Sequence, residues 1–306
     1  MTTSLPKSLT HAGVVSEVYP KMCNVLFDDE TANGVDKPSV KKRLCTYRRA
    51  QVFDREAEWR ERSPVAPGDR VMVTILGSKD GVIEEILPRK NCIQRRAPGR
   101  EGKVLHTLAA NLDFMVIVAS LREPDFSPGL IDRFLIAAIE AEIAPALVIN
   151  KMDLAKDQSE KPWQVYEDFG VRCYPISTQN SSGIEVVQNL IRGKTSVFCG
   201  HSGVGKTSLL QNLFGEAFGK IGKVNTSTGK GKHTTTVSTL IEGPDQSRFI
   251  DTPGIKEFGL YKIDPKILIQ YFPELYQASQ KGLPIEDLPR YESYLRIKTA
   301  LQEEGR

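Results

Sequence analysis

Residues 200–207, GHSGVGKT, constrain the fold of this 306-residue chain more than any other stretch. They fit the phosphate-loop pattern G-x-x-x-x-G-K-[ST]. They also lie where such a loop belongs, between a predicted strand, TSVFCG (195–200), and a predicted helix, GKTSLLQNLF (205–214). The glycines let backbone N–H groups converge on phosphate oxygens at a helix N-terminus. The pattern therefore predicts an α/β domain that binds a nucleoside triphosphate.

Side chains of the same loop extend this chemistry. Lys206 is expected to reach the β- and γ-phosphates, and Thr207 to ligate Mg²⁺. The loop does not define the base, so an ATP site is an alternative at this point. The other predicted nucleotide contacts in and just after the loop are Gly200, His201, Ser202, Gly203, Val204, Gly205 and Ser208.

A second motif, Asn150-Lys151-Met152-Asp153, follows the apolar run PALVI (145–149) and indicates the base. Guanine has N1–H and N2–H₂ donors, and a carboxylate such as that of Asp153 can accept both. Asn150 would fix the ring and the Lys151 stem would cover it. Ser177, after the predicted strand VRCYPI, would make a weaker second base contact. Although N-K-x-D alone could be a helix cap, together the motifs predict GTP and GDP.

The stretch DTPG (251–254) ends another predicted strand and is expected to respond to the γ-phosphate. Asp251 would hold Mg²⁺ through water, and the Gly254 N–H would meet the γ-phosphate. In the preceding stretch, Thr235 is expected to complete the Mg²⁺ shell. His233 is the candidate for orienting the attacking water, because Ile255, directly after DTPG, cannot do so; an exposed loop histidine is the alternative.

The base motif precedes the phosphate loop by 50 residues, the reverse of the ordinary GTPase order. A site of this kind needs only that the strand ends converge, so a circularly permuted domain explains the order. Strand and helix signals alternate from about residue 104, for example FMVIVAS (114–120) and IDRFLIAAIEAE (131–142). They predict a mostly parallel sheet with flanking helices. We assign residues 93–262 to this GTPase domain and residues 263–306 to a short helical C-terminal region.

The N-terminal part differs in both pattern and charge. Residues 1–92 contain about five short strand signals, such as VAPGDRVMVTI (65–75), which predict an OB-type β-barrel in a multidomain α/β protein. Residues 1–103 carry a net charge of +5, whereas the rest of the chain carries −2. Basic stretches can follow a phosphate backbone, so the barrel is a candidate RNA-binding domain. A solvated basic surface is the alternative.

Other functional classes are disfavoured by composition. The sequence has no apolar run near the ~20 residues that cross a bilayer and no signal-peptide pattern, so we expect a cytoplasmic protein without a membrane partner. The five cysteines and four histidines do not cluster. Buried free thiols are therefore expected, rather than a metal or disulfide framework.

Taken in order, these segments resemble the ribosome small-subunit-dependent GTPase A family (RsgA/YjeQ) of circularly permuted GTPases. The resemblance covers nearly the whole chain. It rests on APGDRV, ILPRKN, ANLDFMVIVAS, SPGLIDRFL, NKMDL, GHSGVGKTSLL, GKHTTT, DTPGIKEFGL and YESYLRI.

The resemblance implies a GTPase that acts as a switch in late maturation of the 30S subunit. It implies stimulation by that subunit and contact with 16S rRNA through the barrel and the C-terminal region. A monomer is the simplest expectation. One alternative is an rRNA-binding clamp that needs GTP but hydrolyses little of it, and a related permuted GTPase of the large subunit is another.

The sequence departs from the family in its C-terminal region. Family members usually carry a zinc knuckle beyond DTPG, but residues 251–306 contain neither cysteine nor histidine. Structural zinc sites are built from such ligands. We therefore predict no zinc, with GTP or GDP and Mg²⁺ as the cofactors.

Overall fold

The computed structural model shows a chain whose contacts fall into two compact units. In the described part of the chain, no helix is long and apolar enough to cross a membrane. The structure describes residues 10–27, 41–47, 60–61, 63–77, 79–96, 104–157, 159–215, 218, 238–252, 260 and 263–304.

The elements run in the following order along the chain. The strands are β1 (Thr10–Tyr19), β2 (Met22–Leu26), β3 (Lys42–Tyr47), β4 (Arg60–Glu61), β5 (Arg70–Leu76), β6 (Asp80–Ile86), β7 (Cys92–Arg96), β8 (Val104–Ala110), β9 (Phe114–Ser120), β10 (Ala144–Asn150), β11 (Arg172–Pro175), β12 (Thr195–Cys199), β13 (Thr239–Glu242) and β14 (Arg248–Asp251). The α-helices are α1 (Pro128–Glu140), α2 (Gln164–Asp168), α3 (Ile184–Ile191), α4 (Lys206–Phe214), α5 (Pro273–Gln280) and α6 (Tyr291–Glu304).

Five strands of the first unit close into a barrel. The ring has the order β1-β2-β3-β6-β5, and β1 closes it because its first half pairs with β5 and its second half with β2. Strands β3 and β6 are parallel, and the other pairs are antiparallel. Alternate residues point inward and form an apolar core that contains Val15, Cys23, Val25, Cys45, Val71, Val73 and Ile83. The predicted OB-type barrel is confirmed.

The first unit contains two further groups of paired strands. Strands β4, β8 and β7 form a small sheet that sequence patterns did not predict, because the run QRR in β7 has no apolar alternation. Strands β13 and β14 were expected in a mostly parallel sheet, but they pair with each other antiparallel, and β13 is also antiparallel to β1.

The second unit contains the parallel sheet. Its strands have the order β11-β10-β9-β12, and all three pairings are parallel. Strands β9, β10 and β12 are buried almost throughout, as expected for parallel strands covered on both faces. Ser120 and Asn150 are in register at the carboxyl ends of β9 and β10. Ligands of open α/β sheets bind outside these strand ends.

The C-terminal region is helical, as predicted, and its first helical segment is divided in two. A 3₁₀ turn, Leu268–Tyr271, comes first, and α5 begins afresh at Pro273. Proline lacks the N–H that a continuous helix would need at this position. The region packs against α1 through an apolar cluster that includes Ile136, Ala137, Leu268, Phe272, Leu275, Tyr294, Ile297 and Leu301.

A buried arginine lies within this packing. Arg290 is 4% exposed, and its guanidinium donates from Nε and Nη2 to the two oxygens of Glu274 at 2.6 and 2.5 Å. Nη1 donates to Asp132 Oδ1 on α1 at 3.1 Å. Burial raises the pKa of Asp132, although Arg290 opposes the rise. Three rings surround the guanidinium carbon at 5.2–5.6 Å: Tyr166, Phe169 and Phe272. We call this group the Arg290 clasp.

Candidate nucleotide site

The phosphate loop connects β12 to α4 in the second unit. Lys206, the first residue of α4, donates from Nζ to the carbonyl oxygens of Gly200 and His201 at 2.8 and 2.7 Å. Its ammonium is therefore held across the loop, at the helix end that carries partial positive charge. The hydroxyls of Thr207 and Ser208 belong to exposed residues in the first turn of α4.

Two glycines of the loop are required by their surroundings. Gly200 has φ +144°, and a Cβ there would lie 2.1 Å from the Val118 carbonyl oxygen. Gly205 has φ +91°, and its Cβ would lie 2.2 Å from Asn150 Nδ2. Both positions combine a left-handed backbone with a contact that no side chain could share. The second contact brings the base motif against the phosphate loop.

Asn150 is fully buried and joins three segments. Its Nδ2 donates to the Val204 carbonyl at 2.9 Å and to Thr178 Oγ1 at 3.3 Å. Its Oδ1 accepts from the Thr178 N–H at 3.0 Å. The amide group is thus fully engaged by protein atoms. Asn150 therefore ties the base motif to the phosphate loop. Its assignment to the guanine ring stays a prediction.

Asp153 lies in a 3₁₀ turn, Met152–Leu154, just after β10, and it is exposed. Ser177, which is 1% exposed, donates from Oγ to Asp153 Oδ1. The same Oγ accepts from the N–H groups of Gln179 and Asn180 at 3.2 and 3.4 Å. Ser177 therefore orients the Asp153 carboxylate, a more definite role than the weak base contact predicted from sequence. Asp153 stays the predicted guanine reader.

The other predicted contacts of this unit differ in accessibility. His201, Ser202 and Gly203 are exposed, and the His201 ring Nδ1 lies 2.7 Å from the Ser202 carbonyl oxygen. Val204 is 3% exposed, so any contact it makes with a nucleotide would come through its backbone. Met152 is half-buried, and its N–H donates to the Ile176 carbonyl at 3.1 Å.

Asp251, at the end of β14, belongs to the first unit. Its side chain reaches solvent, but partial desolvation raises the pKa of the carboxyl. The Asp251 carboxylate is a hard oxygen donor of the type that Mg²⁺ prefers. The Thr207 hydroxyl of the second unit is a donor of the same type. Thr235, His233 and Gly254 lie outside the described residues.

Other metal or thiol chemistry finds little support in the described residues. Among them, no group of three His, Cys, Asp or Glu side chains could hold a metal ion. All five cysteines are free; Cys23, Cys45 and Cys199 are buried, and Cys92 and Cys173 are half-buried. Burial raises the pKa of the Cys199 thiol.

Comparison with known proteins decides the family. The model of the family described as RsgA GTPase matches residues 86–261. The chain belongs to the RsgA GTPase family. This membership confirms the resemblance inferred from the motifs and the assignment as a GTPase.

Individual RsgA relatives agree over most of the chain. The protein named small ribosomal subunit biogenesis GTPase RsgA of Bacteroides fragilis is 36% identical over 80% of either chain. The crystal structure of YjeQ from Thermotoga maritima has a TM-score of 0.70 at 26% identity and covers 97% of this chain and 100% of its own. The crystal structure of YloQ, described as a circularly permuted GTPase, has a TM-score of 0.66 at 23% identity and covers 99% of both chains, which supports the fold.

Sequence reasoning on this RsgA chain missed residues that act through others. Thr178 makes two of the three side-chain hydrogen bonds described for Asn150, and Glu123 provides a carbonyl that accepts from Lys151 Nζ. Thr178 directly follows the predicted residue Ser177, at a position where many GTPases have alanine. This difference could have indicated its role. Glu123 had no sequence signal.

Proposed function

We propose that this chain binds GTP and hydrolyses it as a switch in small ribosomal subunit biogenesis. The observation that carries the proposal is the contact of Asn150 with Val204 and Gly205, which joins a guanine-reading motif to a phosphate loop. The Bacteroides fragilis relative carries the same biogenesis role in its name. We further propose that the protein is cytoplasmic and monomeric.

The phosphate side of the proposed site uses charge and backbone donors. Lys206 would release its two carbonyl acceptors, or share its ammonium with them, when the β- and γ-phosphates arrive. Thr207, Asp251 and Thr235 would hold Mg²⁺, Asp251 through water, and Gly254 would contact the γ-phosphate. Mg²⁺ in such a site neutralises charge on the phosphate oxygens. His233 would orient the attacking water.

The base side would distinguish guanine through one carboxylate. Ser177 holds Asp153 Oδ1, which leaves Oδ2 and the remaining lone pairs of Oδ1 for the two adjacent guanine donors. A site built to pair two donors rejects a base that lacks them, because its buried or oriented acceptors would lose their partners. This supports GTP over ATP.

The barrel is the better candidate for the rRNA contact, because the C-terminal region is not basic. Residues 263–306 carry six Lys and Arg against seven Asp and Glu. Not all of the barrel's basic residues are available, however. Arg43 is buried and donates to the Gly77 carbonyl at 2.9 Å, and Lys42 pairs with Glu17 at 2.9 Å.

An outward face of the barrel keeps features that suit RNA. Tyr19 on β1 and Leu44 on β3 are 39% and 38% exposed. They lie two residues apart in register across β1, β2 and β3. Lys21 and Lys79, both exposed, lie in the adjoining turns. Lysines bind phosphates, and aromatic rings stack on bases. We propose this face as the principal rRNA contact, with the C-terminal region as a secondary one.

The hydrolysis experiment compares GTP turnover with and without purified 30S subunits. We expect a slow intrinsic rate and a strong increase with 30S, since partners raise such rates by up to about 10⁵-fold. GTP-dependent 30S binding without faster hydrolysis would favour the clamp instead. Stimulation by 50S alone would refute the small-subunit assignment.

A second experiment tests the proposed surface. The double variant Lys21→Glu/Lys79→Glu should bind 30S more weakly. The negative slope of log affinity against log salt concentration should also become shallower by about 2. Arg192→Glu, a surface change in the second unit, serves as the control. Equal 30S affinity of the double variant and the control would argue against this face.

A further inference from the structure

Residues 121–125, the turn after β9, contact the base motif of the proposed nucleotide site and lie near its phosphate loop. The Leu121 N–H donates to the Asn150 carbonyl at 3.0 Å. The Pro124 carbonyl accepts from Ser120 Oγ at 2.6 Å. On the phosphate-loop side, Pro124 Cδ lies 3.5 Å from the position of a Cβ on Gly203. We call residues 121–125 the bridging turn.

The bridging turn also holds the lysine of the base motif. Lys151 has φ +64°, and its Nζ donates to the Glu123 carbonyl. Glu123 is itself left-handed, with φ +52°. Non-glycine residues adopt this conformation in only a few per cent of cases, and here two of them are joined by a hydrogen bond. The Lys151 stem, flexible in isolation, is thus fixed at both ends.

An ion pair fixes the bridging turn in its place. Arg122 Nη2 donates to both oxygens of Glu160, at 2.6 and 2.7 Å. The two side chains are 28% and 31% exposed, so water screens the pair only in part. Both bonds come from one nitrogen, so the pair lacks the two-nitrogen fork, but its partial burial lets it contribute more than a fully exposed pair. The pair joins the turn after β9 to the segment that leads into α2.

We propose that Arg122 and Glu160 are positioning residues for guanine nucleotide retention. Neither is part of the predicted contact set; the pair holds the Glu123 carbonyl, which in turn holds the Lys151 stem where it would cover the base. The inference rests on the proposed GTP site and extends it to residues outside that site. Loss of the pair should speed nucleotide release and leave the hydrolytic step unchanged.

The test uses the full-length chain with Arg122→Met and Glu160→Gln. The dissociation rate of a fluorescent GDP analogue and the KM for GTP should each rise about five- to tenfold, while kcat stays within twofold of the parent. Arg192→Met is the matched control, because Arg192 pairs with Asp245 at 3.4 Å in the same unit with both side chains more than 60% exposed. The control should release GDP at the parent rate.

A double-mutant cycle with Lys151→Met separates positioning from a general loss of stability. Arg122→Met/Lys151→Met should release GDP no faster than the faster single variant, because both changes remove one linked arrangement. Additive effects, or a parental release rate in both Arg122→Met and Glu160→Gln, would overturn this inference but not the proposed function. If the parent does not bind the GDP analogue, the proposed function falls as well.

Discussion

Replacement of Arg290 by methionine tests the energetics of the C-terminal region. The change removes the guanidinium but keeps most of the apolar stem. Glu274 and Asp132 would then be left as carboxylates without their cation, and Asp132 is 1% exposed. Removal of one partner from a buried ion pair costs about 3–5 kcal/mol. In a protein of 306 residues that corresponds to a fall of about 5–8 °C in Tm.

The pH dependence gives the prediction its sign. Burial already raises the pKa of Asp132 with Arg290 present. Without Arg290 the rise must be larger, because the guanidinium opposes it. A carboxyl with a raised folded-state pKa destabilises the fold as pH increases past the unfolded value of about 4. The deficit of Arg290→Met should therefore be smallest near pH 4.5 and grow towards pH 7.

Thermal unfolding followed by circular dichroism at pH 4.5, 5.5 and 7 measures this deficit. Arg296→Met, on the helix that begins directly after Arg290, is the control, since Arg296 and Glu292 are 79% and 85% exposed and form an ordinary surface pair. Arg290→Met/Asp132→Asn/Glu274→Gln should recover at least half of the lost stability, because no buried charge remains. A deficit below about 1 kcal/mol, or one that does not change with pH, would refute the reasoning.

Three further predictions concern the nucleotide site and the metal. Asp153→Asn should shift the nucleotide preference from GTP towards xanthosine triphosphate, because the xanthine base carries an acceptor in place of the guanine N2 donors. Competition binding measures this shift. A variant that still prefers GTP would contradict the base assignment. Gly205→Ala should weaken GDP binding at least tenfold (about 1.4 kcal/mol), since its Cβ would lie 2.2 Å from Asn150 Nδ2; Gly193→Ala, where the structure shows open space at a similar φ, is the control. Elemental analysis should find no zinc, and EDTA should leave the Tm of nucleotide-free protein unchanged; one zinc per chain would overturn this.

Local patterns were sufficient for the parallel strands and the phosphate loop. The apolar runs of β9 and β10 reflect burial of whole strands, and the glycine spacing at 200–205 reflects the backbone conformation of one loop. Both requirements act within a short segment, so both are visible in the local sequence. The same holds for the barrel strands, where turn residues and alternation repeat over short distances. The fold class was therefore predictable.

The remaining features depend on partners that are distant in the chain. Asp132 and Arg290 are 158 residues apart, and nothing near either residue indicates that it is buried with the other. Arg43 looked like part of a basic surface, yet its guanidinium lies inside because the Gly77 carbonyl accepts from it. The contact of Asn150 with the phosphate loop could not be predicted for the same reason, because its acceptor, the Val204 carbonyl, lies 54 residues away in the chain.

The contact between Asn150 and the phosphate loop also bears on how a chain of this kind can be reordered. The base motif and the loop are coupled through one side-chain amide rather than through the peptide bonds between them. New termini can therefore be opened in any connection that leaves β9, β10 and β12 side by side. By the same logic, a synthetic variant in which these connections are reordered again should still bind GDP, provided that Asn150 and Gly205 are retained.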